Sequence, residues 1–468
     1  MSFCSYRPRL LAAGVAAALA AVVATGTAGA ATITVTTTDD GSVPGACTLR
    51  DAIAAANSNT ATAACVAGDV GHDDIVFAPG VTGTIALAGG ELELVEEASI
   101  TGPGAALLTI DAQQSSRIFS MTGDASLTTT LTGMTIANGR TTADNDSGGA
   151  INCLTALTLV DSVVTGSSTA GATAPGGGVF TATTTLLTRS TVSGNWTEGY
   201  GSLGGGVMVV FGLATLTDST VSDNWTEGDT AGGGGLVEFW GWFDATLINS
   251  TISGNATYGD ASQAGGFAAG GNAFVINSTV SGNSTHGYNS GGGFTDAGAF
   301  SVTGNVTLTN STIVDNIPAQ GGPSINLATP DTTLLTATNS ILANSGRGAT
   351  PLCSRAIDVA SSTHNLATDD SCGTDTLIGG APSAFEDLAL GELADNGGAT
   401  KTHALLAGSV ALDAADADAC AAAPISNLDQ RGNVRPVDGN GDGSAICDMG
   451  AFEVNFIDLD TIFANGFD

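Results

Sequence analysis

A six-residue phrase returns down this chain at a nearly fixed interval, and that regularity restricts the fold more than any other feature. Ser190-Thr191-Val192-Ser193-Gly194-Asn195 has related copies at 219–224, 250–255, 278–283 and 311–316, and degraded ones at 134–139 and 162–167. A last copy, Ser340-Ile341-Leu342-Ala343-Asn344, has lost a residue. Successive copies start 28, 28, 29, 31, 28, 33 and 29 residues apart. A period of this size means stacked supersecondary units, none of which can bury its apolar face alone. A second marker keeps a constant offset: the glycine clusters at 148–149, 176–178, 204–206, 233–235, 265–266 and 291–293. One repeat therefore reads as glycine cluster, short strand, turn, short strand, turn.

Helical repeats are excluded by composition, because the units are rich in Thr, Val, Ser, Gly and Asn, which disfavour helix interiors. Alternating stretches such as Leu216-Thr217-Asp218-Ser219-Thr220-Val221 read as strands. Wound as a coil, each strand bonds its equivalents about 4.8 Å above and below, and like residues stack on like. The expected fold is all-β, a right-handed parallel β-helix of roughly 28-residue coils. Val192, Val221, Ile252, Val280, Ile313 and Ile341 should form an internal aliphatic row. Asn195, Asn224, Asn255, Asn283, Asn316 and Asn344 should form a ladder, with Asn supplying the left-handed conformation of a tight corner. Asn195-Trp196-Thr197 also spells a glycosylation sequon, but the ladder already accounts for the asparagine.

An open β-helix must cover its end strands. Leu49, Ala52, Ile53 and Ala56 have helical spacing and predict an amphipathic cap at the N-terminal end. Upstream, residues 1–30 read as a secretory signal, with Arg7 and Arg9, an apolar run over 10–24, and Ala28-Gly29-Ala30 for cleavage. No later stretch reaches the ~20 apolar residues of a membrane-spanning helix. The organisation expected is signal (1–30), cap region (31–80), β-helix (81–345), a disulfide-bearing terminal coil (346–380), a differently composed region (381–456) and an acidic, aromatic tail (457–468).

The formal charge of the chain is −34, and loss of Arg7 and Arg9 takes it to −34 − 2 = −36. Such a field excludes nucleic acid as a partner and leaves divalent cations as candidates. Removal of Cys4 leaves seven cysteines, as suits an oxidising compartment. Proximity pairs Cys47 with Cys65, Cys353 with Cys372 and Cys420 with Cys447, and leaves Cys153 over.

Three segments carry a family resemblance. Ala46-Cys47-Thr48-Leu49-Arg50-Asp51-Ala52-Ile53 resembles the N-terminal CSLREA domain of secreted β-helix proteins, with Thr48 for Ser and Asp51 for Glu. Leu393-Ala394-Asp395-Asn396-Gly397-Gly398, Thr402-His403-Ala404-Leu405-Leu406, Asp429-Gln430-Arg431-Gly432 and Cys447-Asp448-Met449-Gly450-Ala451-Phe452-Glu453 together are similar to the choice-of-anchor Q domain. The terminal Ile462-Phe463-Ala464-Asn465-Gly466-Phe467-Asp468 looks like a tail of exported proteins. The resemblance implies a secreted or surface-associated β-helix protein, and it transfers no catalytic residues.

Several residues are candidates for chemistry. Asn195-Trp196-Thr197-Glu198-Gly199 and Asn224-Trp225-Thr226-Glu227-Gly228 are identical in adjacent coils, and the next coils put Tyr258 and His286 in the Glu position. Stacking of Trp196 on Trp225 and Glu198 on Glu227 would make an exposed aromatic and carboxylate strip suited to sugar rings, with Glu238, Trp240 and Trp242 nearby in sequence. Asp438-Gly439-Asn440-Gly441-Asp442-Gly443 matches the front of a calcium loop, although Met449 stands where its bidentate Glu belongs. Asp438, Asn440, Asp442 and Asp448 are the candidate calcium ligands. His403 reads as structural, and no zinc spacing is present. The reading is a binding or adhesion scaffold outside the cell, whose partner is a polysaccharide or a cell-surface molecule. The alternative is a lyase or hydrolase on acidic polysaccharide. The regular repeats hold only Arg140 and Arg189 as cations, and no recurring column of Asp, so neither the base of a lyase nor the carboxylate cluster of a hydrolase stands out.

Overall fold

A computed structural model describes residues 30–239, 243–288, 297–328, 333–345, 351–356, 358, 362–373 and 377–455. The signal segment up to residue 29, the tail from 456, the glycine cluster 291–293, Trp240 and Trp242 lie outside the described residues.

The chain winds as a parallel β-helix, and one coil illustrates how. Strand Val179–Thr181 belongs to sheet I, Thr185–Thr188 to sheet II, Thr191–Ser193 to sheet III and Trp196–Thr197 to sheet IV. The middle coils thus have four strands where the sequence pattern suggested two, because two- and three-residue strands are too short for alternation to register. Among the described residues sheets II and III each run through eleven strands, sheet I through nine and sheet IV through six. Pairing is parallel throughout these four sheets and keeps equivalent residues opposed: Val192 faces Val221, which faces Ile252, then Val280 and Ile313. These side chains are at most 1% exposed and form one continuous core. Each such side chain contributes roughly 1.5–3 kcal/mol by leaving water.

The row does not continue to Ile341. Ile313 pairs with Leu342, while Ile341 pairs with Thr312 and points outward. The residue missing from this last copy is lost after the strand, so the strand register holds and the ladder position disappears. The asparagine ladder accordingly runs from Asn195 to Asn316. Each side-chain Nδ2 donates to the next Oδ1 at 2.8–3.0 Å, and each Oδ1 also accepts the backbone N–H of the asparagine below. Asn344 instead meets Ser324 and Thr368. The left-handed corner is made one residue earlier than expected, by Gly194, Asp223, Gly254, Gly282 and Asp315, which frees the asparagines to point inward. Asn195 is 0% exposed, so its sequon lies inside the stack. A parallel serine ladder runs beside it, with Ser190 N donating to Ser219 Oγ at 3.1 Å and Ser219 N to Ser250 Oγ at 3.1 Å.

The glycine triplets have a steric cause. Gly204 has φ +68°; a Cβ on Gly205 would lie 2.4 Å from the Trp225 carbonyl oxygen, and one on Gly206 would lie 2.9 Å from the Asn224 amide carbon. The segment entering sheet I runs directly against sheet IV and the ladder, and only glycine fits there.

Helix α1, Leu49–Ser58, begins at the N-cap Thr48, whose hydroxyl accepts the Asp51 N–H, and ends at Asn59 in the left-handed region. Leu49, Ala52, Ile53 and Ala56 are buried against the first strands, and Cys47–Cys65 ties the segment down. Cys353 pairs with Cys372 and Cys420 with Cys447, while Cys153 is free and buried.

Residues 377–383 add a last partial rung, with Leu377 bridging Asn365 in parallel, and the residues after it leave the stack. They fold back as a strap along the outer face of sheet III, and their antiparallel hairpin, Leu390–Ala394 with Thr402–Leu405, lies beside it. Threonines on that face receive the strap: Thr251 donates to the Lys401 carbonyl (2.7 Å), Thr279 to Gln430 (2.7 Å), and Thr312 accepts the Ala451 N–H (3.0 Å). Ile341, Val314 and Leu366 meet Leu388, Leu405, Met449 and Phe452 in a second apolar core. Beneath it Arg431 pairs with Asp429 at 2.7 Å and covers Phe452, and Arg435, 0% exposed, reaches Asn277 at 3.0 Å and approaches Glu453 at 3.9 Å. Asp429, Arg431, Asp448 and Glu453 thus bond within the strap itself, and Arg435 carries the charged contact across to the β-helix.

Candidate functional site

Sheet IV carries the aromatic strip. Trp196 pairs with Trp225 in register, and their rings stack with centroids 5.0 Å apart and planes 2° from parallel. Because sheet IV alternates, Thr197 and Thr226 point into the core while the residues on either side face out. Each indole N–H donates to the carboxylate two residues on, Trp196 to Glu198 and Trp225 to Glu227, both at 3.0 Å. The tryptophan column continues as Ala256 and Ser284, which are short, so the indole stack ends at Trp225. The aromatic surface then shifts sideways into the carboxylate column, where Tyr258 and His286 stack at 4.8 Å and 11°. His286 Nε2 meets Ser284 Oγ at 2.9 Å, the same link between alternate residues that the tryptophans use.

The strip also contains a residue that sequence reasoning left out. Arg140 stands two coils from Trp196 in the same column, with Ser168 between them. Its guanidinium donates to Ser168 Oγ (2.8 Å) and to both oxygens of Glu198 (2.7 and 3.0 Å). Arg140 holds the Glu198 carboxyl below the usual carboxylate range. Glu198 is therefore an anion and an acceptor, not the protonated acid that glycoside hydrolysis needs. Arg189, the other cation of the repeats, is paired with Asp161 at 2.7 Å. Neither arginine is available as the base of a lyase.

Glu238, near these residues in sequence, belongs to sheet I, is 1% exposed, and accepts the N–H groups of Gly270 and Gly271 at 3.0 and 3.1 Å. It takes no part in the strip.

The calcium candidates bond to backbone N–H groups. Asp438 accepts from Gly441, Asp442 and Gly443, Asn440 from Asp442, and Asp442 from Ser444, so the loop turns its oxygens onto its own backbone. Asp448 is 0% exposed and its carboxylate takes the Asp413 and Val454 N–H groups. Among the described residues no three His, Cys, Asp or Glu side chains share a metal-sized site.

A groove of about 690 Å³ lies between sheet III and the strap hairpin. Thr191, Thr220, Ser222, Ser253 and Ser281 floor it, and Asp315, Glu392, Lys401 and His403 line its walls. His403, 8% exposed, places Nε2 2.8 Å from Ser281 Oγ and Nδ1 2.8 Å from the Gly391 carbonyl. The carbonyl can only accept, so Nδ1 carries the proton and Nε2 accepts from the serine. Burial lowers the pKa of His403 and keeps the ring neutral.

No protein-family model and no curated protein matches the chain. Among solved structures the chain is similar to a crystal structure of pectate lyase Pel9A, at 16% identity and a TM-score of 0.47, over 92% of this chain and 98% of that one.

Proposed function

We propose that this protein is an exported, polysaccharide-binding β-helix scaffold whose glycan chain lies along sheet IV. The observation that carries the reading is the parallel Trp196–Trp225 pair, held in one orientation by indole–carboxylate bonds and continued by Tyr258 and His286. A binding surface built from pre-oriented rings loses little conformational freedom on engaging a sugar, and the neighbouring carboxylates offer acceptors to its hydroxyls. Glu198 and Glu227, on a chain of charge −34, favour a neutral glycan over a polyanionic one. The N-terminal segment that resembles the CSLREA domain and the anchor-like strap fit secretion or surface association, and the acidic composition suits an extracellular setting.

Affinity electrophoresis of residues 31–468 in gels containing neutral polysaccharides, such as glucans, xylans and mannans, tests the proposal. Retardation by at least one of them is expected, with about tenfold weaker binding for W225A, near 1.4 kcal/mol. Equal retardation of wild type and the W196A/W225A double variant, or none on any polymer, refutes it.

A further inference from the structure

We infer that the groove between sheet III and the strap is an acyl-ester hydrolase site in which Ser281 is the nucleophile and His403 its general base. Nucleophilic catalysis by serine needs a hydroxyl bonded to a neutral, correctly tautomeric imidazole that a third group orients. Ser281 Oγ and His403 Nε2 are 2.8 Å apart, and the Gly391 carbonyl, 2.8 Å from Nδ1, fixes the tautomer in the place a carboxylate takes in other serine hydrolases. The other Ser–His contacts among the described residues differ on this point. His72 Nε2 meets Ser99 Oγ at 3.0 Å but also Asp74 at 3.3 Å, and Ser284–His286 is an exposed pair of the aromatic strip. Only Ser281 and His403 both line the groove of about 690 Å³, ample for an acylated sugar unit.

The rest of the lining fits the same chemistry. Asp315 and Glu392 lie close enough to act electrostatically on the imidazole, and they stabilise the imidazolium that forms when it takes the serine proton. Lys401, the only lysine of the chain, lines the same groove and supplies positive charge toward a tetrahedral oxyanion. The balance is that of ester hydrolysis. Ser281 Oγ bonds to the acyl carbon as its proton moves to His403 Nε2. The C–O bond to the sugar breaks, and the alkoxide leaves with that proton. Water then adds to the acyl-serine, again through His403, releasing the acid and the free serine.

The substrate class rests on the proposed glycan binding, because the groove and the strip adjoin. From Ser281 the chain turns the left-handed corner at Gly282 and enters sheet IV at Ser284–Thr285, and Asp223 of the groove is two residues from Trp225. A polysaccharide held along sheet IV would carry O-acyl substituents around this corner, so O-acetylated glycans are the expected substrates.

The chemistry is testable without any glycan. Purified protein is treated with a fluorophosphonate probe, digested and mapped by mass spectrometry, and hydrolysis of 4-nitrophenyl acetate is followed in parallel. Labelling at Ser281 is expected, with loss of label and a fall in turnover of at least about a hundredfold in S281A and H403Q. S99A should behave as wild type, and S281A, which loses one buried hydrogen bond to the strap, should lower the melting temperature by only a few degrees and still unfold cooperatively, which separates loss of catalysis from loss of the strap. No label on the wild-type protein, or undiminished turnover in S281A, overturns the assignment. Labelling at Ser281 in a protein that no polysaccharide retards would leave the hydrolase standing and remove only the glycan reading. Acetate release from acetylated xylan, lost in W196A/W225A while 4-nitrophenyl acetate turnover persists, would establish both.

Discussion

Truncating one rung of the asparagine ladder should be among the costliest single changes in the β-helix. Asn224 is 0% exposed and its side chain makes four hydrogen bonds, each at 3.0 Å. Oδ1 accepts the Asn195 N–H and Asn195 Nδ2, while Nδ2 donates to Val192 O and Asn255 Oδ1. N224A removes all four and strands the buried Asn195 backbone N–H. At about 1 kcal/mol per bond the loss is about 4 kcal/mol. N224D is expected to cost more at pH 7, because a carboxylate keeps the two acceptor contacts but sets a buried anion against Val192 O and Asn255 Oδ1. Repeat arrays need not unfold in one step, so urea denaturation should be paired with native-state hydrogen exchange read at Asn195. A penalty below about 1 kcal/mol for N224A, or a wild-type opening free energy at Asn195 in N224D, would refute the ladder as a source of stability.

Two further tests concern the packing. G205A places a methyl group against the Trp225 and Gly234 carbonyl oxygens, which are backbone and cannot move aside, and should cost more than about 3 kcal/mol. G201A, whose nearest atom is 3.6 Å away, should cost only about 1 kcal/mol for its left-handed backbone; equal effects in urea melts would sink the steric account of the triplets. The strap should respond to pH. Burial pushes Asp448 up to about 7 and Glu453 up to about 8, both above their unfolded values, so the folded chain holds more protons from about pH 4 to pH 8. Stability therefore falls as pH rises through that window. His403, with its lowered pKa, acts in the opposite sense only below about pH 6.5, so calorimetry from pH 7 to 9 isolates the carboxyl pair. A melting temperature that climbs over this range would contradict the burial of Asp448 and Glu453.

What could be read in the sequence follows from which interactions are local to the repeat. Val192, Val221 and Ile252 align because each coil must place the same side chain over its predecessor, and a fixed period transmits that demand directly. The stack of Trp196 on Trp225 follows from the same register. The bond of Arg140 to Glu198 was invisible for the complementary reason. It spans 58 residues and two coils, and nothing in the pattern marks a side chain long enough to skip a rung. The displaced corner was missed because Asn and Gly both tolerate positive φ, so composition does not say which of Gly194 and Asn195 adopts it. Likewise Asp438-Gly439-Asn440-Gly441-Asp442 satisfies a calcium pattern and a chain of backbone-capping turns equally well, since both ask for side-chain oxygens at alternate positions.

The strap was the least legible element, and its docking explains why the chain carries an unusual pair of residues. Gln430 reaches Thr251 and Thr279 across roughly 150–180 residues, and Arg435 reaches Asn277 across 158, separations at which no local signal survives. Sheet III offers the strap a face of threonine and serine hydroxyls, which bond backbone and amide groups without asking for charge. A charged face would have repelled an equally acidic strap. The same choice brings His403 onto a surface already rich in serine, and only at Ser281 does a groove remain open beside it. The outward serine column of sheet III, Ser193, Ser222, Ser253 and Ser281, and a docked hairpin together generate a hydroxyl–imidazole pair that neither contains alone. The chemistry proposed for this groove thus depends on the strap being seated, and conditions that release it should abolish fluorophosphonate labelling at Ser281 while leaving the tryptophan stack of sheet IV in place.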